Sequence, residues 1–247
     1  MNYEIYRFDR IDSTNSYLMG LGEEGFPEGT VVLADEQSGG KGRFGRRWES
    51  EPLSNLLFSL LLRPDFLASD EIFILTFASA LAVGGAIESI AQIKPAYKWP
   101  NDILIDSKKT SGILLESSFN AGKISFVVAG IGINVNQKQF PSEIAGRATS
   151  ILLSSGKLCD RDELLFAVLN NFSSIYDTLR ERDFYSIMKK WREGANMIGR
   201  KVTLKLVDRS IEGVCEEISD DGAIMISTPD GIRKFTAGEI TIGGGIQ

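Results

Sequence analysis

Residues 72–87 read IFILTFASALAVGGAI, 16 positions without a charge. A stretch this apolar has to lie in a membrane or in the middle of a core. A membrane span needs roughly 20 such residues, and Thr76, Ser79 and the Gly84–Gly85 pair interrupt this one, with Asp70, Glu71 and Glu88 at its flanks. A buried helix is therefore expected, capped by Ser69 or Asp70 and ending near Ala91. The N-terminal MNYEIYRFDRI is charged and has no apolar core of the signal-peptide kind. No membrane partner is expected.

Elements of both kinds flank this helix. YEIYRF reads as a short strand, followed by Asp12-Ser13-Thr14-Asn15, whose short polar side chains suit the start of a helix that Gly20 or Gly22 would end. TVVLA (30–34) and NLLFSLLL (55–62) read as buried strands. AYKWPNDILID (96–106) reads as two extended pieces about Pro100, because proline disfavours helix at Trp99. SGILLESS and KISFVVAGIGINVN read as neighbouring strands joined at Ala121-Gly122. Asp160 with Glu163 forms a capping box for a helix whose apolar positions, Leu164 to Leu179, keep the helical period. After Gly199, Val202, Leu204 and Leu206 alternate with polar residues, and the turns SDDG and TPDG separate short apolar runs, which suggests a small barrel. The expected fold is α+β: a mixed central sheet flanked by helices over residues 1–198, and a small β-barrel over 199–247.

The chemistry is bounded by what is missing. The chain has no histidine, which excludes Ser-His-Asp and Cys-His nucleophile pairs and histidine-held zinc. Its two cysteines, Cys159 and Cys215, form no CxxC pair and fit a reducing cytoplasm. A net charge of −6 speaks against a nucleic-acid partner, so any anion site must be local.

One segment supplies such a site. Residues 36–50, EQSGGKGRFGRRWES, place Lys41, Arg43, Arg46 and Arg47 among glycines. Glycine lets backbone N–H groups approach a ligand, and the cations suit phosphate or carboxylate. The pattern is not GxxxxGK[ST], and nothing downstream supports a dinucleotide fold. Three further segments pair chemistry-bearing residues with glycine or a rigid turn. Lys98-Trp99-Pro100-Asn101-Asp102 offers a cation near a carboxylate; Lys108-Lys109-Thr110-Ser111-Gly112 brings a lysine pair into an apolar strand. Gly130-Ile131-Gly132-Ile133-Asn134-Val135-Asn136 alternates glycines along a strand, leaving one face open to a flat ligand, with Asn134 and Asn136 on that face.

Taken in order, STN, Gln37 with GKGRFGRRW, KWPND, KKTSGILLE and GIGINVN, then a small C-terminal barrel, the chain resembles the biotin–protein ligases over most of residues 8–240. It begins almost directly at the catalytic part and so resembles the monofunctional kind, without a DNA-binding domain. The resemblance implies a class II synthetase-like catalytic domain, an SH3-like C-terminal barrel and a cytoplasmic enzyme. It implies two steps: biotin and ATP, with Mg2+, give biotinyl-5′-AMP, and the biotinyl group then passes to a lysine of a biotin carboxyl carrier domain. Homodimers occur in the family.

Carried over residue by residue, the resemblance implies that Ser13, Thr14, Asn15, Gln37, Gly40, Lys41, Gly42, Arg43, Lys109 and Gly112 bind biotin. Trp48, Lys98, Asn101 and Asn134 fall on the ATP side, Lys109 and Arg43 are catalytic, and Asp102 orients magnesium-bound phosphates. Lys41 and Phe44 depart from the family's GRGRRG loop, keeping one charge and losing another. The residues themselves agree with this chemistry: two anions ~4 Å apart repel by about 4 kcal/mol at an effective dielectric of 20, and clustered cations cancel that without an enzyme nucleophile. A lipoate–protein ligase, sharing fold and adenylation, is the nearest rival. A non-enzymatic biotin sensor is the rival from another class.

Overall fold

The computed structural model describes residues 1–243. Its main sheet has seven strands: β1 (Glu4–Ile11), β2 (Thr30–Gln37), β3 (Leu56–Leu62), β4 (Ala96–Lys98), β5 (Asp102–Ile105), β6 (Lys108–Asn120) and β7 (Lys123–Ile133), in the order β1-β2-β3-β7-β6-β5-β4. Only the β1–β2 pair is parallel, so the sheet is mixed as expected. β6 and β7 form a long hairpin turning at Ala121-Gly122, both with positive φ.

The apolar run becomes α2 (Ile74–Ala91), packed against the sheet, α5 (Arg161–Arg180) and α6 (Phe184–Glu193). By length and composition it is the one described helix apolar enough to cross a membrane. Its buried residues, from Ile74 to Ile87, lie all round the helix, as a core element requires. Neither Ser69 nor Asp70 caps it; they open a separate 3-10 turn, and α2 starts three residues later without a side-chain cap. Burial, rather than capping, holds this helix. Likewise Asp160 accepts from the N–H groups of Asp162 and Glu163, but the reciprocal half of the expected capping box is not made.

α1 (Thr14–Glu23) starts at Ser13, whose hydroxyl accepts from Ser16 N–H, and runs through Gly20 and Gly22. Gly22 does not end it because it is a packing position, where a Cβ would collide with the buried Phe126 ring. Two short helices, α3 (Ser142–Ala145) and α4 (Ile151–Ser155), follow β7.

β8 (Lys201–Lys205), β9 (Ser210–Ile218), β10 (Ile224–Thr228), β11 (Gly231–Phe235) and β12 (Glu239–Ile242) make an antiparallel sheet of the SH3-like kind, ordered β11-β10-β9-β8-β12. Its outer strands do not pair with each other, so among the described residues it is an open sheet rather than a closed ring. The hydrophobic core runs without interruption from the main sheet into Val202, Leu204, Cys215 and Ile224. Trp99, fully buried after β4, donates from its indole N–H to Gly222 O of the small sheet at 2.9 Å. The Trp99–Pro100 bond is cis.

Candidate active site

The register of β6 and β7 sets Gly112 directly opposite Gly132. Two adjacent glycines make a flat place on the sheet, and the Trp48 ring lies on it: a Cβ at Gly132 would come within 2.6 Å of Trp48, and one at Gly112 within 3.0 Å. Two pairs further along, Gly130 faces the side chain of Asn15 at the start of α1, with no room for a Cβ. The alternating glycines thus make space for α1 and for Trp48.

Above this floor lies a cavity of about 530 Å3, within the range of ligand sites. The glycine-rich loop forms one wall as a small hairpin, with Gly42 N–H donating to Arg46 O at 2.7 Å and Trp48 N–H to Gly40 O at 3.0 Å. Arg47 donates to Ser38 O at the base of the loop. Arg43 reaches inward and donates to Asn101 Oδ1 at 3.2 Å, and Asn101 is itself held by Ile113 O at 2.6 Å. Burial lowers the Arg43 pKa, against the attraction of Asp102 and Glu239, but a guanidinium stays charged at neutral pH. Phe44 is 58% exposed and sits beside the Arg43 guanidinium, not over the cavity.

The cationic centre lies on β4–β6. Lys109 Nζ is 2.6 Å from Asp102 Oδ1 and Lys98 Nζ 3.5 Å from Asp102 Oδ2. Burial pushes the Asp102 carboxyl up, and the two lysines more than reverse this, holding it below the usual carboxylate range. The set carries a net charge of +1, and Arg43 raises it to +2. The Asp102 carboxylate is engaged by lysine ammonium groups on both oxygens, and the described residues contain no cluster of three metal-ligating side chains. In this structure Asp102, for which the sequence suggested a role toward magnesium-bound phosphates, forms an ion pair that holds Lys109.

At the other end the polar groups are neutral. Gln37 Oε1 accepts from Thr14 N–H at 2.7 Å and lies 3.1 Å from its hydroxyl. Ser13, Thr14 and Asn15 are all buried there. Three groups of cavity-lining residues are buried without a partner, the indole N–H of Trp48, Asn134 Oδ1 and Asn196 Oδ1, an arrangement that a polar ligand would satisfy.

Of the residues assigned to biotin, nucleotide or metal from sequence, all but Gly40 line this cavity. Gly40 packs behind the loop, between Trp48 O and the Gln37 side chain. Asn136, expected to share the face of Asn134, turns away and bonds the backbone of Cys159. Asn15 lines the cavity with its amide already committed to protein partners. Sequence reading missed Arg147, Asn196, Arg200 and Glu239, which line the cavity from segments after β7, and Glu116, which does not line it but bonds Asn15, which does. Glu116 stood inside KKTSGILLE as an ordinary strand residue.

The fold and the cavity define a class: an α+β protein with a cation-lined cavity between a glycine-rich basic loop and a sheet. Residues 7–134 match the biotin/lipoate A/B protein ligase family, and residues 197–243 match the biotin protein ligase C-terminal domain. The chain belongs to this family. It is 37% identical over 97% of its length to the bifunctional ligase/repressor BirA of Bacillus spizizenii, covering 74% of that protein. It is 32% identical to the biotin–[acetyl-CoA-carboxylase] ligase of Paracoccus denitrificans, over 95% of this chain and 99% of that one. Among solved structures it is similar to the Aquifex aeolicus biotin protein ligase in complex with biotin and ATP: TM-score 0.84, 34% identity, covering 98% of this chain and 99% of that chain.

Proposed function

We propose that this protein is a cytoplasmic ligase that joins biotin to AMP from ATP and then transfers biotin to a lysine of a biotin carboxyl carrier domain. The observation that carries this is that one cavity is lined both by Lys109, Lys98 and Arg43 and by the neutral hydrogen-bonding groups of Ser13, Thr14 and Gln37. The neutral end, with Thr14 and Gln37, takes the uncharged ureido head. Its carboxylate then points at Lys109 and Arg43, where the α-phosphate also arrives. Gly112 lies under the rings, and Ser13 and Lys41 border them.

The protein contributes electrostatics and position. Lys109 and Arg43 offset the repulsion between carboxylate and phosphate and stabilise the charge that builds at phosphorus as the carboxylate oxygen attacks and pyrophosphate leaves. Trp48, Lys98, Asn101 and Asn134 serve the nucleotide, the free Asn134 Oδ1 being an acceptor for its N–H or O–H groups. Mg2+ bound to the nucleotide would add positive charge at the phosphates, beside that of Lys109, Lys98 and Arg43. In the second step the neutral amine of the carrier lysine attacks the acyl carbon, an amide bond forms, and AMP leaves with the electron pair of the broken C–O bond. A loop closed over the adenylate keeps water from the mixed anhydride.

The test is pyrophosphate exchange into ATP with biotin or lipoate as the acid. Exchange with biotin alone supports the reading; exchange with lipoate alone replaces it with the lipoate ligase. A mass gain of one biotinyl group on an isolated carrier domain checks the transfer.

A further inference from the structure

Glu116 has no part in the chemistry above, yet it touches both the cavity floor and the loop. It lies on β6, two residues beyond the strand's contact with α1. Its Oε2 accepts from Asn15 Nδ2 at 2.8 Å, and its Oε1 is 3.3 Å from Lys41 Nζ. Asn15 Oδ1 then accepts from Ser59 Oγ at 2.6 Å, and Ser59 Oγ is 2.8 Å from Thr14 Oγ1. Asn15, Ser59 and Thr14 are all buried.

These contacts have a direction. An ionised carboxylate can only accept, as can the Leu114 carbonyl 3.4 Å from Asn15 Nδ2, so the Asn15 amide turns its NH2 toward Glu116 and Leu114 and its oxygen toward Ser59, with Glu116 the shorter contact. Ser59 has a single proton, and Asn15 takes it. The one proton of Thr14 then has two protein acceptors in reach, Ser59 Oγ at 2.8 Å and Gln37 Oε1 at 3.1 Å, so it is spent within the protein and Thr14 is left to accept from a ligand. Gln37 is set in the same way, because Thr14 N–H claims its oxygen and leaves its NH2 to donate. The buried end of the cavity thus presents an acceptor at Thr14 and a donor at Gln37, the complement of a urea N–H and C=O.

We infer that Glu116 is a positioning residue: it fixes the hydrogen-bond polarity of the biotin-head pocket through Asn15 and Ser59, and with its second oxygen ties Lys41 of the glycine-rich loop to that pocket. Neutral Gln at this position has the same shape but can present NH2 to Asn15, so only the long 3.4 Å contact with Leu114 O still orients the amide and the direction of the chain is weakened. This inference rests on the proposed function.

The experiment measures biotin-dependent pyrophosphate exchange for the wild type, E116Q, N15A and the E116Q/N15A double variant. The expected result is a biotin KM raised about 10-fold in E116Q, the size expected of one charge-assisted bond, with kcat and the KM for ATP within about 2-fold. In the N15A background, where the chain is already cut, E116Q should add less than about 2-fold. Ser59→Ala, cutting the next link, should reproduce the biotin effect should E116Q not fold. A wild type active with biotin, with E116Q unchanged or the two changes simply multiplying, overturns this inference alone. A wild type without biotin-dependent exchange overturns the proposed function with it.

Discussion

Arg46 of the glycine-rich loop donates from Nη1 to Glu239 Oε1 at 2.6 Å, across 193 residues of sequence. Glu239 opens β12, whose Ile240 and Ile242 also line the cavity. The small C-terminal sheet therefore fastens the glycine-rich loop that walls the cavity. Both side chains are partly exposed, 53% and 36%, so the pair is worth at most about 1 kcal/mol. Glu239→Gln should speed release of biotinyl-adenylate about 3-fold, less at high salt, as stopped-flow chase would read. A release rate independent of both variant and salt would refute the fastening.

Lys109→Ala should abolish both half-reactions, since the charge nearest the reacting groups is lost. Pyrophosphate exchange within 10-fold of wild type would contradict its role.

Asp102→Asn leaves two lysines facing each other without their anion. One partner of a buried pair is removed, but both lysines retain some water, so a stability loss of about 2 kcal/mol is expected. The sign with pH follows from the lowered Asp102 pKa. The stabilisation is present above the ordinary aspartate range and fades as pH falls through and below it. Between pH 6 and 3, urea midpoints should therefore fall further for the wild type than for Asp102→Asn.

Gly130→Ala would drive a methyl into Asn15. The backbone there is extended, so the cost is steric and falls on α1 and the Ser59–Thr14 contact. Calorimetry should show biotin affinity reduced at least 10-fold. Gly146→Ala, where no atom lies within 4 Å of the added methyl, should bind as wild type.

Cys159 is outside the cavity, and burial, with Glu163 and Asp160, pushes its thiol up to about 11. A thiolate nucleophile is not available there at neutral pH. Cys159→Ser should therefore keep full transfer to the carrier; loss of the second step alone would point to an acyl-thioester route instead.

The segments legible in the sequence were those whose local pattern has one physical solution. An uncharged 16-residue run flanked by acids had to be a buried helix, and it is α2. Glycines mixed with Lys and Arg had to make a positive, close-approach loop, and the β6–β7 hairpin followed from its apolar runs and its turn. Local pattern does not encode inter-strand register or the partners of a side chain far away in sequence. Tertiary packing alone set Gly112 beside Gly132 under Trp48, moved Gly40 behind the loop, turned Asn136 away and gave Asp102 two lysines. It also brought Glu116 to Asn15 and Glu239 to Arg46, because a carboxylate on a strand looks the same in sequence whether it meets water or a lysine.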